Sequence, residues 1–211
     1  MAGYLAHLRN KFRHNSPLRL VTDGLRRIGI VVFPYYVMRE QADDKVELLV
    51  PAGCEIRELT INDIGVLVAT RVAYLTDGWI ADRFALGDRC LAMFQGEDLT
   101  CCCWASRAKA NLIFESIDLQ ENEAYIYAAF TFDGFRGKGH MPILRRHLCT
   151  LLAEDGARHM FSIVDALNRP AIRVYEKMAA KRVQLGVGLA LFTLVSGRFN
   201  LRNYEAYLKG R

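Results

Sequence analysis

Phe130-Thr131-Phe132-Asp133-Gly134-Phe135-Arg136-Gly137-Lys138-Gly139-His140-Met141 joins an apolar, aromatic-rich run over residues 124–132 to a segment of helical period. The run reads as a strand. The segment reads as a helix over residues 141–154, with Ile143, Leu144, His147, Leu148, Leu151 and Leu152 along one side. Pro142 suits a first helical turn, where its missing N–H would have had no partner, and Gly156 ends the helix. At such a junction the backbone N–H groups point outward without intrahelical acceptors, and the helix dipole is positive. Gly137 and Gly139 permit a tight turn and a close approach to those groups, and Arg136 and Lys138 add positive charge. An anion, and naturally a pyrophosphate, fits this pattern. A basic, glycine-rich loop also serves as a plain turn, and the residues alone leave both readings open. The loop is not a P-loop, because G-x-x-x-x-G-K-[ST] is absent, and Gly186-Val187-Gly188 lacks the third glycine of a dinucleotide fingerprint.

Cys54-Glu55-Ile56-Arg57-Glu58-Leu59 alternates as a strand, and Thr60-Ile61-Asn62-Asp63 offers caps for a helix reaching residue 70. Residues 90–94 and 100–105 read as two strands joined by a hairpin turn at Gln95-Gly96-Glu97-Asp98. Residues 161–165 form a further strand, Pro170 opens a short helix through Lys177, and residues 182–195 supply a last strand or strand pair. The order β-α-(α)-β-β-β-α-β-α-β predicts an α/β (α+β) fold, a mixed central β-sheet with helices on both faces.

Two motifs now stand in order. Arg136-Gly137-Lys138-Gly139-His140-Met141 matches the pattern R/Q-x-x-G-x-G/A at Arg136 and Gly139, with Met141 in the last position. Some thirty residues on come Asn168-Arg169-Pro170-Ala171-Ile172-Arg173-Val174-Tyr175-Glu176-Lys177-Met178. With these the chain resembles the GNAT superfamily, the Gcn5-related N-acetyltransferases, over residues 54–195. It departs at Ala180-Lys181, where the family usually has Gly-Phe. The resemblance implies a splayed strand pair and an acyl-CoA co-substrate, acetyl-CoA or another, with no metal. Phe130, Thr131 and Phe132 would present the backbone edge that pairs with pantetheine. Arg136, Gly137, Lys138, Gly139 and His140 would hold the pyrophosphate. Asn168, with Ala171 in the same motif, would contact the pantetheine, and Tyr175 would protonate the departing thiolate. The implied reaction is direct attack of a primary amine on the thioester.

An incoming ammonium must lose a proton. The candidates for the base are Glu123 at the start of the strand, Glu115 before it and Asp133 at its end, while Tyr125 and Tyr127 alternate on one face and could order a water. The acceptor is expected to be a small-molecule amine, shaped by residues 73–88 and 111–123. Bacterial members with a similar basic front segment suggest a sugar or lipid intermediate of the cell envelope. Two alternatives accompany this reading. One is a longer-chain acyltransferase using acyl-CoA or an acyl carrier protein, and the other is a non-catalytic acyl-CoA-binding scaffold or regulator.

The chain carries a formal charge of +5 and a sequence pI of about 8.9. Arg9, Lys11, Arg13, Arg19, Arg26, Arg27 and Arg39 cluster in the first forty residues, and Tyr4, Leu5, Leu8 and Phe12 fall at helical spacing among them. Residues 1–50 therefore read as a basic amphipathic N-terminal extension, and residues 51–211 as the GNAT domain. Gln41-Ala42-Asp43-Asp44-Lys45 and Pro51-Ala52-Gly53 mark the border. The basic face suits a peripheral membrane contact through residues 1–40, or packing on the domain or on a second copy as a homodimer. No nucleic-acid motif is present, so no such partner is expected. Six cysteines show no zinc spacing, and Cys101-Cys102-Cys103 reads as small hydrophobes in a buried strand. No secretory signal is seen and no apolar run reaches the ~18 residues of a membrane span. The expected place is the reducing cytoplasm, at most peripheral to the inner face of the membrane.

Overall fold

The computed structural model describes residues 17–41, 49–111, 116–192 and 194–204. The amphipathic pattern of Tyr4, Leu5, Leu8 and Phe12 lies outside the described residues, as does Glu115. Helix α1 (Pro17–Arg27) leads into β1 (Ile30–Glu40), and β2 (Cys54–Leu59) follows. A 3₁₀ turn over Ile61–Asp63, closed by a Thr60–Asp63 capping box, opens into α2 (Ile64–Val68), with α3 (Asp77–Ala85) next. Strands β3 (Arg89–Gln95) and β4 (Asp98–Ser106) form the expected hairpin, and Gly96 turns it with a φ of 60°. A small hairpin, β5 (Lys109–Asn111) with β6 (Ser116–Asp118), precedes β7 (Glu123–Thr131). Then come α4 (His140–Glu154), β8 (His159–Asp165), α5 (Arg169–Lys177), β9 (Lys181–Leu191) and β10 (Val195–Asn203).

Eight strands make one sheet in the order β10-β9-β1-β8-β7-β4-β3-β2. All neighbours are antiparallel except β7 and β8. The period-2 alternation of β3 and β4 divides the core between two faces. Leu91, Met93, Cys101, Cys103 and Ala105 meet Leu144, Leu148 and Leu152 of α4. Cys90, Ala92, Phe94, Cys102 and Trp104 meet Leu67 of α2 and Ile80 of α3. The three consecutive cysteines are buried strand residues that point alternately to the two layers.

The border expected at residue 50 does not hold. Strand β1 lies in the middle of the sheet, hydrogen-bonded to β8 on one side and β9 on the other. Pro34 lies within this strand, although a proline cannot donate to a ladder. Its carbonyl accepts from Ala166, and β8 pairing with β1 begins only at Tyr35–Asp165. The missing N–H therefore faces the point where β8 has already ended.

Candidate active site

Strands β7 and β8 run parallel but stay in register for three pairs only, Glu123–His159, Ala124–Met160 and Tyr125–Phe161. Beyond Tyr125 they part. The cause is local to β7: Cys102 registers with Phe130 and Trp104 with Tyr127, so β7 carries one more residue than β4 across that interval. Ala128 takes up the extra length with a φ of 46°, in the left-handed region. Such a bulge bends its strand and increases its twist, which carries the end of β7 away from β8. A crevice opens between the carboxyl ends of two parallel strands, where open α/β sheets commonly bind ligands.

Both loops predicted to bind the donor stand at this crevice. After β7, a 3₁₀ turn over Asp133–Phe135 leads to Gly137 and Gly139, with φ of 81° and 85°. Gly139 is the N-cap of α4, with no side chain to cap it and no acidic residue in the first helical turn. A Cβ built on either glycine would meet nothing within 4 Å. His140 stacks on Phe135 at 6.1 Å between centroids, and its Nδ1 is buried with no partner among the described residues. Burial, then the charge of Lys138, lowers the imidazole's pKa. Open helix N–H groups, an unfilled cradle and a buried imidazole nitrogen without a partner suit the pyrophosphate of an acyl-CoA.

The side chains of this loop turn back on it. Arg136 donates through Nε to the Thr131 carbonyl at 3.1 Å and pairs with Asp133 at 2.8 Å, and the Lys138 ammonium lies 4.7 Å from the centre of the Phe135 ring. Phe132 N donates to Thr100 O at 3.0 Å, so the backbone at 132 faces β4. Phe130 likewise stands in register with Cys102. By alternation Thr131 is the residue of the three whose backbone faces the crevice, and Arg136 occupies its carbonyl.

After β8, Asn168 caps α5, its Oδ1 accepting from Ala171 N at 3.2 Å. This places Tyr175, two turns on, in a buried cluster with Met38 and Val164 on the face that carries α4. Burial raises the phenol's pKa, and the nearby Arg145 guanidinium works against that rise. Arg145 stands 4.8 Å over the Tyr175 ring. It is itself bound by Glu40, through Nε at 2.9 Å and through Nη2, and Ser162 Oγ donates to Glu40 at 2.8 Å. Sequence reasoning missed Glu40, Arg145 and Ser162, which join three elements and carry no local signal.

Glu123 is fully buried on the opposite face of the sheet, where a cavity of about 80 Å³ opens. Val37, Ile117, Leu119, Phe161 and Ile163 give it apolar walls, and Glu123, Tyr125, Gln184, Arg198 and Asn200 line it with polar groups. Glu123 accepts from Gln120 N at 3.0 Å. Tyr125 and Phe161, the last pair before the strands part, both line this cavity, so the apex of the fork opens into it. Asp133, the other candidate base, is exposed and ion-paired at the far end of β7. Tyr127 donates to Asp88 at 2.5 Å, which ties it to the α3 side of the sheet.

The profile of the Acetyltransferase (GNAT) family matches residues 71–180, more than half of the chain. The chain belongs to the GNAT family. No curated protein matches it. Among solved structures, a GCN5-related N-acetyltransferase from Sphaerobacter thermophilus superposes with a TM-score of 0.59 at 16% identity, over 88% of this GNAT chain and 56% of the other. A protein from Drosophila gives 0.55 at 14% identity, over 82% and 56%. The GNAT chain thus spans little more than half the length of either, and at these identities the likeness is one of fold. Among the described residues no helix is long and apolar enough to cross a membrane, and no group of three or more His, Cys, Asp and Glu could hold a metal ion.

Proposed function

We propose that the protein transfers an acyl group, in the first instance acetyl, from acyl-CoA to the primary amine of a small molecule by direct attack. One observation carries the reading. The strands part at Tyr125 and Phe161, and this fork meets a carboxylate-bearing cavity on one face and Tyr175 on the other. Acyl-CoA supplies the activated acyl carbon as a thioester, and the protein's part is to position, hold charge and move protons.

In this account the N–H groups of Gly137, Gly139 and His140 hold the pyrophosphate. Arg136 yields the Thr131 carbonyl to the pantetheine arm, and the amides near Asn168 and Ala171 bound the crevice on the β8 side. Glu123, directly or through a water ordered by Tyr125, takes the proton of the acceptor ammonium. Tyr175 gives its proton to the sulfur as the C–S bond breaks. The acceptor cavity favours an amine carried on a compact apolar body, since most of its wall is aliphatic or aromatic.

Thiol release from acetyl-CoA across a panel of primary amines tests this. Tyr175→Phe should lower kcat by ~10²–10⁴, the usual contribution of a positioned acid. Glu123→Gln should lower the rate most at the acid end of the pH profile, where the acceptor carries its proton. No thiol release with any acyl-CoA and amine would overturn the reading.

A further inference from the structure

We infer that Glu40, Arg145 and Ser162 form a buried positioning unit for Tyr175, in which Arg145 stands over the phenol ring and stabilises the phenolate left when its proton is given up. The inference rests on the reading of Tyr175 as the proton donor.

Three separate elements converge here: Glu40 ends β1, Arg145 lies in the second turn of α4, and Ser162 is in mid-β8. Glu40 and Arg145 are each 2% exposed and Ser162 is 1% exposed. A buried ion pair holds elements together no better than a well-packed apolar pair of similar volume, because desolvation offsets the Coulomb gain. What the charged pair adds at this position is a fixed cation 4.8 Å from the centre of the Tyr175 ring. Glu40 fixes the guanidinium through two contacts, and Ser162 fixes Glu40 from β8.

The proton balance gives that cation a task. As the C–S bond of the thioester breaks, its electron pair goes to sulfur, and the Tyr175 proton follows. The phenolate then recovers a proton from the one released by the acylated amine, through water. A buried phenol resists this step, since burial disfavours the anion. The groups facing Tyr175 are Arg145 from α4, Glu40 from β1, Ser162 from β8 and Cys103 from β4, with Tyr125 of β7 nearby. Arg145 is the cation among these that favours the phenolate, while Glu40 and Cys103 oppose it. Arg182 of β9 is engaged with Glu176 and with the Tyr36 ring.

The test reads the phenol directly. 3,5-Difluorotyrosine is placed at position 175, and its ¹⁹F shift is followed against pH in the parent, in Arg145→Lys and in Glu40→Gln/Arg145→Met. The paired variant removes both charges together, so that neither is left buried alone. Its midpoint should rise by about one unit or more, and Arg145→Lys should fall between it and the parent. A purely structural pair would leave the midpoint unmoved in both variants, and that result overturns the inference. In the otherwise native chain, the paired variant should also lower kcat for thiol release while leaving KM for acetyl-CoA unchanged. Failure of the acyl-transfer reading shows separately: the parent then releases no thiol, while the fluorine midpoints still answer the question about Tyr175.

Discussion

Replacing Glu40 by alanine removes one half of a buried ion pair and leaves Arg145 in place. Arg145 is fully enclosed. Burial works against its charge, and Glu40, together with Tyr175 and Cys103, more than offsets this, raising its pKa well above the ordinary value. A guanidinium does not shed its proton in a protein, so without Glu40 the charge stays buried and uncompensated. Breaking such a pair costs roughly 3–5 kcal/mol, and the lost bond from Ser162 adds about 1 kcal/mol. At roughly 2–4 °C per kcal/mol for a chain of this size, Glu40→Ala should melt about 8–24 °C below the parent. Glu40→Met/Arg145→Met, which removes both charges, should recover most of that loss. Thermal and urea unfolding followed by circular dichroism read both variants. Melting of Glu40→Ala within about 2 °C of the parent would refute the reasoning.

Gly186 of β9 lies against Tyr35 of β1, and a Cβ at 186 would come within 2.5 Å of Tyr35 Cζ. Gly186→Ala should therefore cost about 1–3 kcal/mol, the usual range for overpacking, and Tyr35→Leu in the same chain should relieve part of it. Additive losses in the double variant would count against the contact. The thiols of Cys101 and Cys102 are pushed by burial up to about 12, with other cysteines adding to the effect. Their folded pKa lies above the unfolded value, so this contribution is intact below pH ~8.5 and is lost as pH rises toward 12. Melting temperature should fall across that alkaline window. At pH 8 a disulfide-exchange reagent should label only half-buried Cys54 in the native protein, the other five thiols reacting after unfolding. Rapid native labelling of several thiols would contradict the buried placement.

The parts of the candidate site whose local structure was legible in the sequence are those held by short-range rules. The left-handed glycines before α4 and the Asn168 cap on α5 each depend on a few adjacent residues, and the structure builds both. The strand and helix order from Cys54 onward follows for the same reason, since alternation and helical spacing are local. Three features had no local signal. β1 lies between two strands, so its apolar run shows no clean alternation, and Pro34 is tolerated only because β8 stops beside it. The bulge that opens the fork sits at Ala128, where an alanine gives no hint of a positive φ. Glu40 and Arg145 are 105 residues apart in sequence, and nothing near either predicts the other. Glu123 illustrates a fourth limit: a carboxylate at a strand start ordinarily faces water, and it is the β5–β6 hairpin with residues of β1, β8, β9 and β10 that encloses this one.

The central claim is that the crevice between β7 and β8 binds acyl-CoA. Thermal unfolding of the parent and of Arg136→Glu/Gly139→Glu, each with and without acetyl-CoA, measures this. At a hundred times its dissociation constant a ligand stabilises by roughly 2.7 kcal/mol, or about 5–11 °C here. That shift is expected in the parent and none in the variant, whose two carboxylates fill the cradle and repel the pyrophosphate. Equal shifts in both would place the ligand elsewhere, and no shift in the parent with acetyl-CoA or any longer acyl-CoA would contradict the central claim.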